Sequence, residues 1–267
     1  MEDLTAPKSA RTSDCTSEAI LIRYKQRAEA SAERAQTLNH QVELHVETTN
    51  VSDVDESFFK NRWDVVVAAN LKPKEIFKVN LICRKLRIKF FATNVFGMFG
   101  YFFSDLLDKH VFRKPVRGIY SPYGGKDENM VIRTERFVPF DVVFNHKFDK
   151  VYDFFYSSPW YFVMRGLLRF VDKRGCIPTR DMEDFETVRL LVNDEVESAY
   201  RRDDNKVPVS YIQLSLGPSI PVICQMVGSM LLKEIIKAAT HVDEPYNNIY
   251  LFNPVINKSE VAKITGL

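Results

Sequence analysis

The sequence predicts an α/β protein built on a partial doubly wound sheet, lacking its first βαβ unit and carrying a mostly helical insertion. Two observations predict the class. Residues 64–69, Asp-Val-Val-Val-Ala-Ala, form a continuous apolar run of the kind found in a strand covered on both faces. After Pro73, Ile76, Val79, Cys83 and Leu86 make one helical stripe that leads into an apolar strand at 88–93, so strand, crossover helix and strand follow in order. A third observation explains the word partial. No G-x-G-x-x-G, no G-x-x-x-x-G-K-[ST] and no G-x-S-x-G occurs, and ten glycines in 267 residues are few.

The elements follow in chain order. Residues 1–18 are polar, without apolar periodicity, and are expected to be a disordered tail. Ala28, Ala32 and Ala35 share a helical face over residues 27–39, suited to close packing on a sheet. Val42, Leu44 and Val46 alternate with Glu43, His45 and Glu47, which predicts a strand covered on one side. Residues 96–107 are rich in aromatics, and Tyr101-Phe-Phe103 favours a strand. Phe96, Phe99, Tyr101, Phe102 and Phe103 exceed what one covered face needs. A partner-facing patch and ordinary core filling account for this excess equally well.

Residues 113–150 are expected to be an exposed crossover loop or strand, with Pro115, Pro122 and the Gly124-Gly125 pair. Ser158-Pro159 predicts a helix start for 160–171, Gly175 and Pro178 its end, and 182–200 a further helix, together a helical insertion at 151–210. The last helix runs from Pro221 to about 240. Gln225, Ser229, Lys233 and Lys237 make one thin polar stripe on an otherwise apolar cylinder, which predicts a mostly buried helix with close backbone approach at Gly228. Residues 248–252 read as the closing strand.

Composition narrows the function classes. Thirty-seven Lys plus Arg against 35 Asp plus Glu leave a net charge of +2, so nucleic acid is not the expected partner. The longest apolar stretch, 220–232, is shorter than a membrane span and holds Gln225 and Ser229, so no membrane partner is expected. Four cysteines without a C-x-x-C pair suit a reducing compartment, and five scattered histidines predict no metal site. Cys83 and Cys224 lie on apolar stripes and read as core residues. Cys176, in Arg-Gly-Cys-Ile-Pro, reads as a turn cysteine in preference to a nucleophile, because no His or Asp stands near it in sequence.

Three segments carry a resemblance. The run RAEASAERAQTLNH at 27–40, the run 79–107 ending GMFGYFFSDLL, and PVICQMVGSMLLKEIIKAAT at 221–240 with NNIYLFN at 247–253 together resemble the small, regulatory subunits of SUMO-activating enzymes, within the ThiF and ubiquitin-activating family. The resemblance covers residues 19–112 and 151–266. It implies a Rossmann-like ThiF domain at 19–112 and 211–267, in a nuclear and cytoplasmic heterodimer with a large catalytic subunit. In that family the large subunit binds ATP and magnesium and carries the catalytic cysteine; SUMO is engaged indirectly. The resemblance therefore implies no catalytic residue and no bound cofactor in this chain, and it favours a partner-facing contact for Phe96, Phe99, Tyr101, Phe102 and Phe103.

The sequence departs from the family in named places. The family's small subunits supply an arginine from an Asp-Arg-Gln-x-Arg-x-Trp-Gly segment, which is not found here before Arg23. Ala69-Asn70 stands where catalytic subunits carry an acidic residue, and Gly228-Ser229 with Lys233 where the family more often has two glycines and a glutamine. Arg23 and Arg27 match a basic stretch near ATP phosphates in relatives; solvated cations at a helix start are the simpler reading. The alternative function is a truncated or divergent paralogue that binds the large subunit without supporting catalysis.

Overall fold

The computed structural model describes residues 27–115, 130–146, 158–199, 207–255 and 257–264. Residues up to Val54 and residues from Asp55 onward are two separate units. The first holds helix α1 (Arg27–Leu38). Its carboxyl end is closed by side chains: the Gln36 amide donates to the carbonyls of Asn39 and Val42, and Asn39 Oδ1 accepts from the Gln41 amide. The strand expected at 42–46 does not form, and Val42, Leu44 and Val46 are exposed. Alternation creates a strand only when a neighbour pairs its backbone, and residues 42–46 join no strand ladder among the described residues.

In the second unit a short helix α2 (Glu56–Phe59), capped by the Asp55 carboxylate, precedes β1 (Val65–Ala69), α3 (Pro73–Leu86) and β2 (Lys89–Phe96). Strands β1 and β2 pair in parallel, Val65 opposite Lys89, as a βαβ unit requires. Beyond β2 the sheet becomes antiparallel. Strand β3 (Phe99–Asp105) returns antiparallel to β2, and β6 (Ile249–Asn253) and β7 (Lys258–Ala262) continue antiparallel, giving the order β1-β2-β3-β6-β7. The reversal is local chemistry: Gly97, at φ +53°, turns the chain over two residues between β2 and β3, and a Cβ there would lie 2.6 Å from the Leu214 carbonyl oxygen.

Part of the stretch expected to be an exposed connection is a second, two-stranded sheet of β4 (His110–Pro115) and β5 (Met130–Glu135). Helix α4 (Phe140–Phe144) follows. Helix α5 (Pro159–Arg174) begins where Ser158 Oγ accepts from the Trp160 amide, and ends at Gly175 in a left-handed cap at φ +75°. Helix α6 (Met182–Ala199) packs on α5 through Gly166, where an added Cβ would lie 2.5 Å from Val192. A one-turn helix α7 (Val209–Leu214) leads to α8 (Pro221–Thr240).

The sheet is covered on both faces. On one, Ile223, Val227 and Leu231 of α8 pack on Phe91, Val95, Phe102, Tyr250 and Phe252. On the other, Phe99 stacks on Trp160 of α5 at 4.9 Å, Trp160 on Tyr211 of α7 at 4.3 Å, and Phe103 meets Phe140 of α4 edge-on at 5.2 Å. Among the described residues no helix is long and apolar enough to cross a membrane.

Candidate functional site

The sequence-derived site residues separate in the structure. Arg23 lies outside the described residues. Arg27 is the first residue of α1 and its side chain also lies outside them. Phe96, Phe99, Tyr101, Phe102 and Phe103 are all fully buried within the chain, so they are inner packing and not a partner-facing patch. The physical reason is that β3 is covered on both faces: Phe102 points to α8, while Phe99, Tyr101 and Phe103 point to α5 and α4. A strand buried on both sides uses twice the aromatic surface that a one-sided strand requires.

The carboxyl ends of β1 and β2 are where an open α/β sheet receives a ligand. Here several of their polar groups are already engaged. Asn70 follows β1 in the left-handed region, at φ +57°, with its amide donating to the Thr93 carbonyl at 3.1 Å. Thr93 Oγ1 donates to the Tyr101 carbonyl at 2.8 Å, and Asn94 Oδ1 accepts from the Val95 amide. No carboxylate stands at positions 69, 70, 93 or 94, so these strand ends offer no anionic metal ligand. Cys83 is buried, and burial raises its thiol to about 12, which keeps it protonated and inert. Cys224, expected in the core, is exposed, as is Cys176. No group of three metal-ligating side chains occurs among the described residues.

The surface that sequence reasoning missed is the outer side of α8. Only Ile223, Val227, Leu231, Glu234 and Ala238 are buried on it, one residue per turn. Val222, Leu232 and Ile236 are 61, 57 and 52% exposed, and an added Cβ at Gly228 would meet nothing within 4 Å. The mostly buried cylinder expected from its composition is therefore a half-buried helix with an apolar outer face. Glu234, its one carboxylate, is turned inward and accepts from Lys237 Nζ and the Tyr246 amide, both at 2.7 Å.

Beside α8 the sheet extends further than the helix covers. Cross-strand pairs put Val261 beside Tyr250 and Ser259 beside Phe252, on the face that carries α8. A cleft of about 670 Å³ opens there between Met226, Met230 and Ser229 of α8 and Tyr250, Phe252 and Lys258 of the last two strands. Apart from Lys258 its lining is uncharged. A signal for this shelf was present in the sequence: Gln225, Ser229 and Lys233 turn toward the cleft side, a polar line that a buried helix does not carry.

Comparison with known proteins adds to this geometry. The ThiF family pattern matches residues 16–265. The chain belongs to the ThiF family. It is 32% identical over 248 residues to SUMO-activating enzyme subunit 1 of Bos taurus, an alignment covering 86% of this chain and 70% of the relative. The same protein of Homo sapiens is 31% identical over 248 residues, again 86% of this chain and 70% of the relative. That of Danio rerio is 29% identical over 245 residues, 85% and 70%. In this ThiF chain, the mixed sheet, with one parallel βαβ unit among the described residues, is the scaffold that sets α8 and β7 side by side.

Proposed function

We propose that the chain is a non-catalytic subunit of a heterodimeric SUMO-activating enzyme, working with a larger subunit that holds ATP and magnesium and carries the catalytic cysteine. The observation that carries this reading is the likeness to subunit 1 sequences over 85–86% of the chain. Two features support it. The strand ends that bind ligands in such sheets carry no carboxylate here and have their amides and hydroxyl bonded internally. Helix α8 presents an apolar face of the kind that a monomer rarely leaves uncovered.

In this reading the SUMO carboxylate attacks the ATP α-phosphate on the larger subunit and pyrophosphate leaves. The partner's cysteine thiolate then displaces AMP to give the thioester. This chain contributes a docked subunit to that assembly. Its place is the nucleus, with a cytoplasmic fraction, in keeping with the free thiols of Cys83, Cys176 and Cys224 among the described residues.

Reconstitution tests the proposal. Purified chain is mixed with a SUMO-activating large subunit, SUMO, ATP and magnesium, and the SUMO thioester is followed on non-reducing gels. Thioester that depends on both chains is the expected result, with no pyrophosphate exchange by this chain alone. Stable association without any thioester would instead favour an interaction protein that binds the large subunit without supporting catalysis. Exchange catalysed by this chain alone would overturn the proposal.

A further inference from the structure

We infer that the free edge of β5 is a strand-addition site, taking an extended segment of another protein in which aliphatic side chains alternate with carboxylates. The inference goes beyond the subunit reading above and does not rest on it.

The backbone comes first. Strands β4 and β5 form a two-stranded sheet, so each has a second edge. That of β4 is taken: the Arg113 amide donates to the His241 carbonyl and the Arg113 carbonyl accepts from the Asp243 amide, both at 2.8 Å. His241 Nδ1 also meets the Val111 carbonyl at 2.6 Å. Arg113 therefore turns its backbone groups away from β5. Ile132, directly across from it, must do the same in the opposite direction, because the two residues of such an antiparallel pair exchange no hydrogen bonds. The phase repeats every second residue. Met130, Ile132 and Thr134 thus project their amides and carbonyls from the outer edge of β5, where no further strand joins among the described residues.

The ribbon is also held in place. Lys114 pairs with Glu244, and Glu135 pairs with Lys263 and accepts from Asn247 Nδ2 at 2.8 Å. An edge that is already formed loses little freedom when it binds. A six-residue edge strand with a row of outward donors and acceptors is a template for one more strand.

Side chains then select the occupant. Ile132 is 67% exposed, and Val111 and Met130, on the same face of the ribbon, are exposed too. Arg113 stands on that face and Arg133 on the other, and neither forms an ion pair with a described residue. The neighbouring carboxylates are committed or remote: Glu135 is held by Lys263, Glu244 by Lys114, and Asp243 lies along the opposite edge of the ribbon. A second copy of this strand would bring two more arginines and no free carboxylate. An incoming strand with an aliphatic residue beside Ile132 and Asp or Glu beside Arg133 completes both the ladder and the charge balance.

The test is calorimetric titration of the full-length chain with a synthetic peptide alternating isoleucine and glutamate, at two salt concentrations. Saturable binding that weakens with salt is the expected result, and the same peptide with lysine in place of glutamate is expected not to bind. Arg113→Glu/Arg133→Glu is expected to weaken binding roughly tenfold or more and to flatten its salt dependence. Ile132→Pro removes an outward amide without removing a bond to β4, and is expected to abolish binding. Leu190→Glu, on the exposed side of α6, is expected to change nothing. Circular dichroism confirms that each variant folds. On wild-type chain, residue-resolved hydrogen exchange is expected to show the peptide protecting the amides of Met130, Ile132 and Thr134, and not those of Val131, Arg133 and Glu135, which already face β4. Protection confined to other residues, or wild-type affinity in both ribbon variants, overturns the inference. So does a peptide that does not bind, or sedimentation showing that β5 pairs with a second copy. None of these outcomes bears on thioester formation with the large subunit.

Discussion

His110 shows what one side chain contributes. It is buried on β4 with its ring 5.0 Å from that of His241 and edge-on to Phe137, and its Nε2 has no partner among the described residues. His241 Nδ1 lies 2.6 Å from the Val111 carbonyl, which can only accept, so Nδ1 carries the proton and Nε2 faces Lys89 Nζ at 3.5 Å. Burial, with His241 and Lys89 alongside, lowers the His110 pKa from 6.5 to about 4. Between those values the unfolded chain binds a proton that the native chain does not. Stability therefore rises with pH across this window and is lost as pH falls through it. Urea titrations at pH 7 and pH 4.5 should show wild-type losing about 2 kcal/mol more than His110→Phe, the linkage expected of such a shift. Equal losses in the two proteins would show that His110 is not the titrating group.

At the scale of elements, α3 is fastened to the end of β3 by a polar bolt. Asp105 is fully buried; it accepts from Asn80 Nδ2 at 2.8 Å, Arg84 Nη1 at 2.7 Å and the Leu107 amide at 3.0 Å. Arg84 also reaches Asp108 at 2.6 Å, and Asn80 Oδ1 accepts from the Phe140 amide at 2.9 Å. Arg84→Ala leaves the Asp105 carboxylate without its cation, and a loss of about 3–5 kcal/mol is expected by chemical denaturation, the scale for breaking one side of a buried pair. Removing both charges in Arg84→Met/Asp105→Leu should restore part of that loss, whereas independent additive costs would contradict the bolt. None of this network was legible in the sequence, because Asn80, Arg84 and Asp105 meet only when β3 folds back along β2. What was legible is local. Ser158-Pro159 and Gly175 delimit α5 through a cap hydrogen bond and a left-handed turn that depend on neighbouring residues alone. The alternation at 42–46 was equally clear and yet yields no strand, since pairing is supplied from elsewhere.

On the scale of the whole molecule, hydrophobic content predicted how much of α8 is apolar but not which part stays inside. Val222 and Ile236 read as core because they belong to the same apolar cylinder as Ile223, Val227 and Leu231, and composition alone does not reveal which side of that cylinder meets the sheet. The aromatics of 96–103 erred in the opposite direction: their excess suggested an outer patch, and a strand covered twice absorbed it. Gly228 brings the two cases together. It occupies the middle of α8 with no neighbour within 4 Å of where a methyl would stand, so the isolated polypeptide forgoes helix-forming tendency there and receives no packing in return. Gly228→Ala should accordingly make the free chain melt at a higher temperature, by the equivalent of about 0.5–1 kcal/mol. A lower melting temperature would mean that this notch is already filled when the chain is alone. A glycine in that place turns the helix into a reporter of solitude: the same methyl that benefits an unaccompanied chain is an intruder wherever another backbone lies close against it.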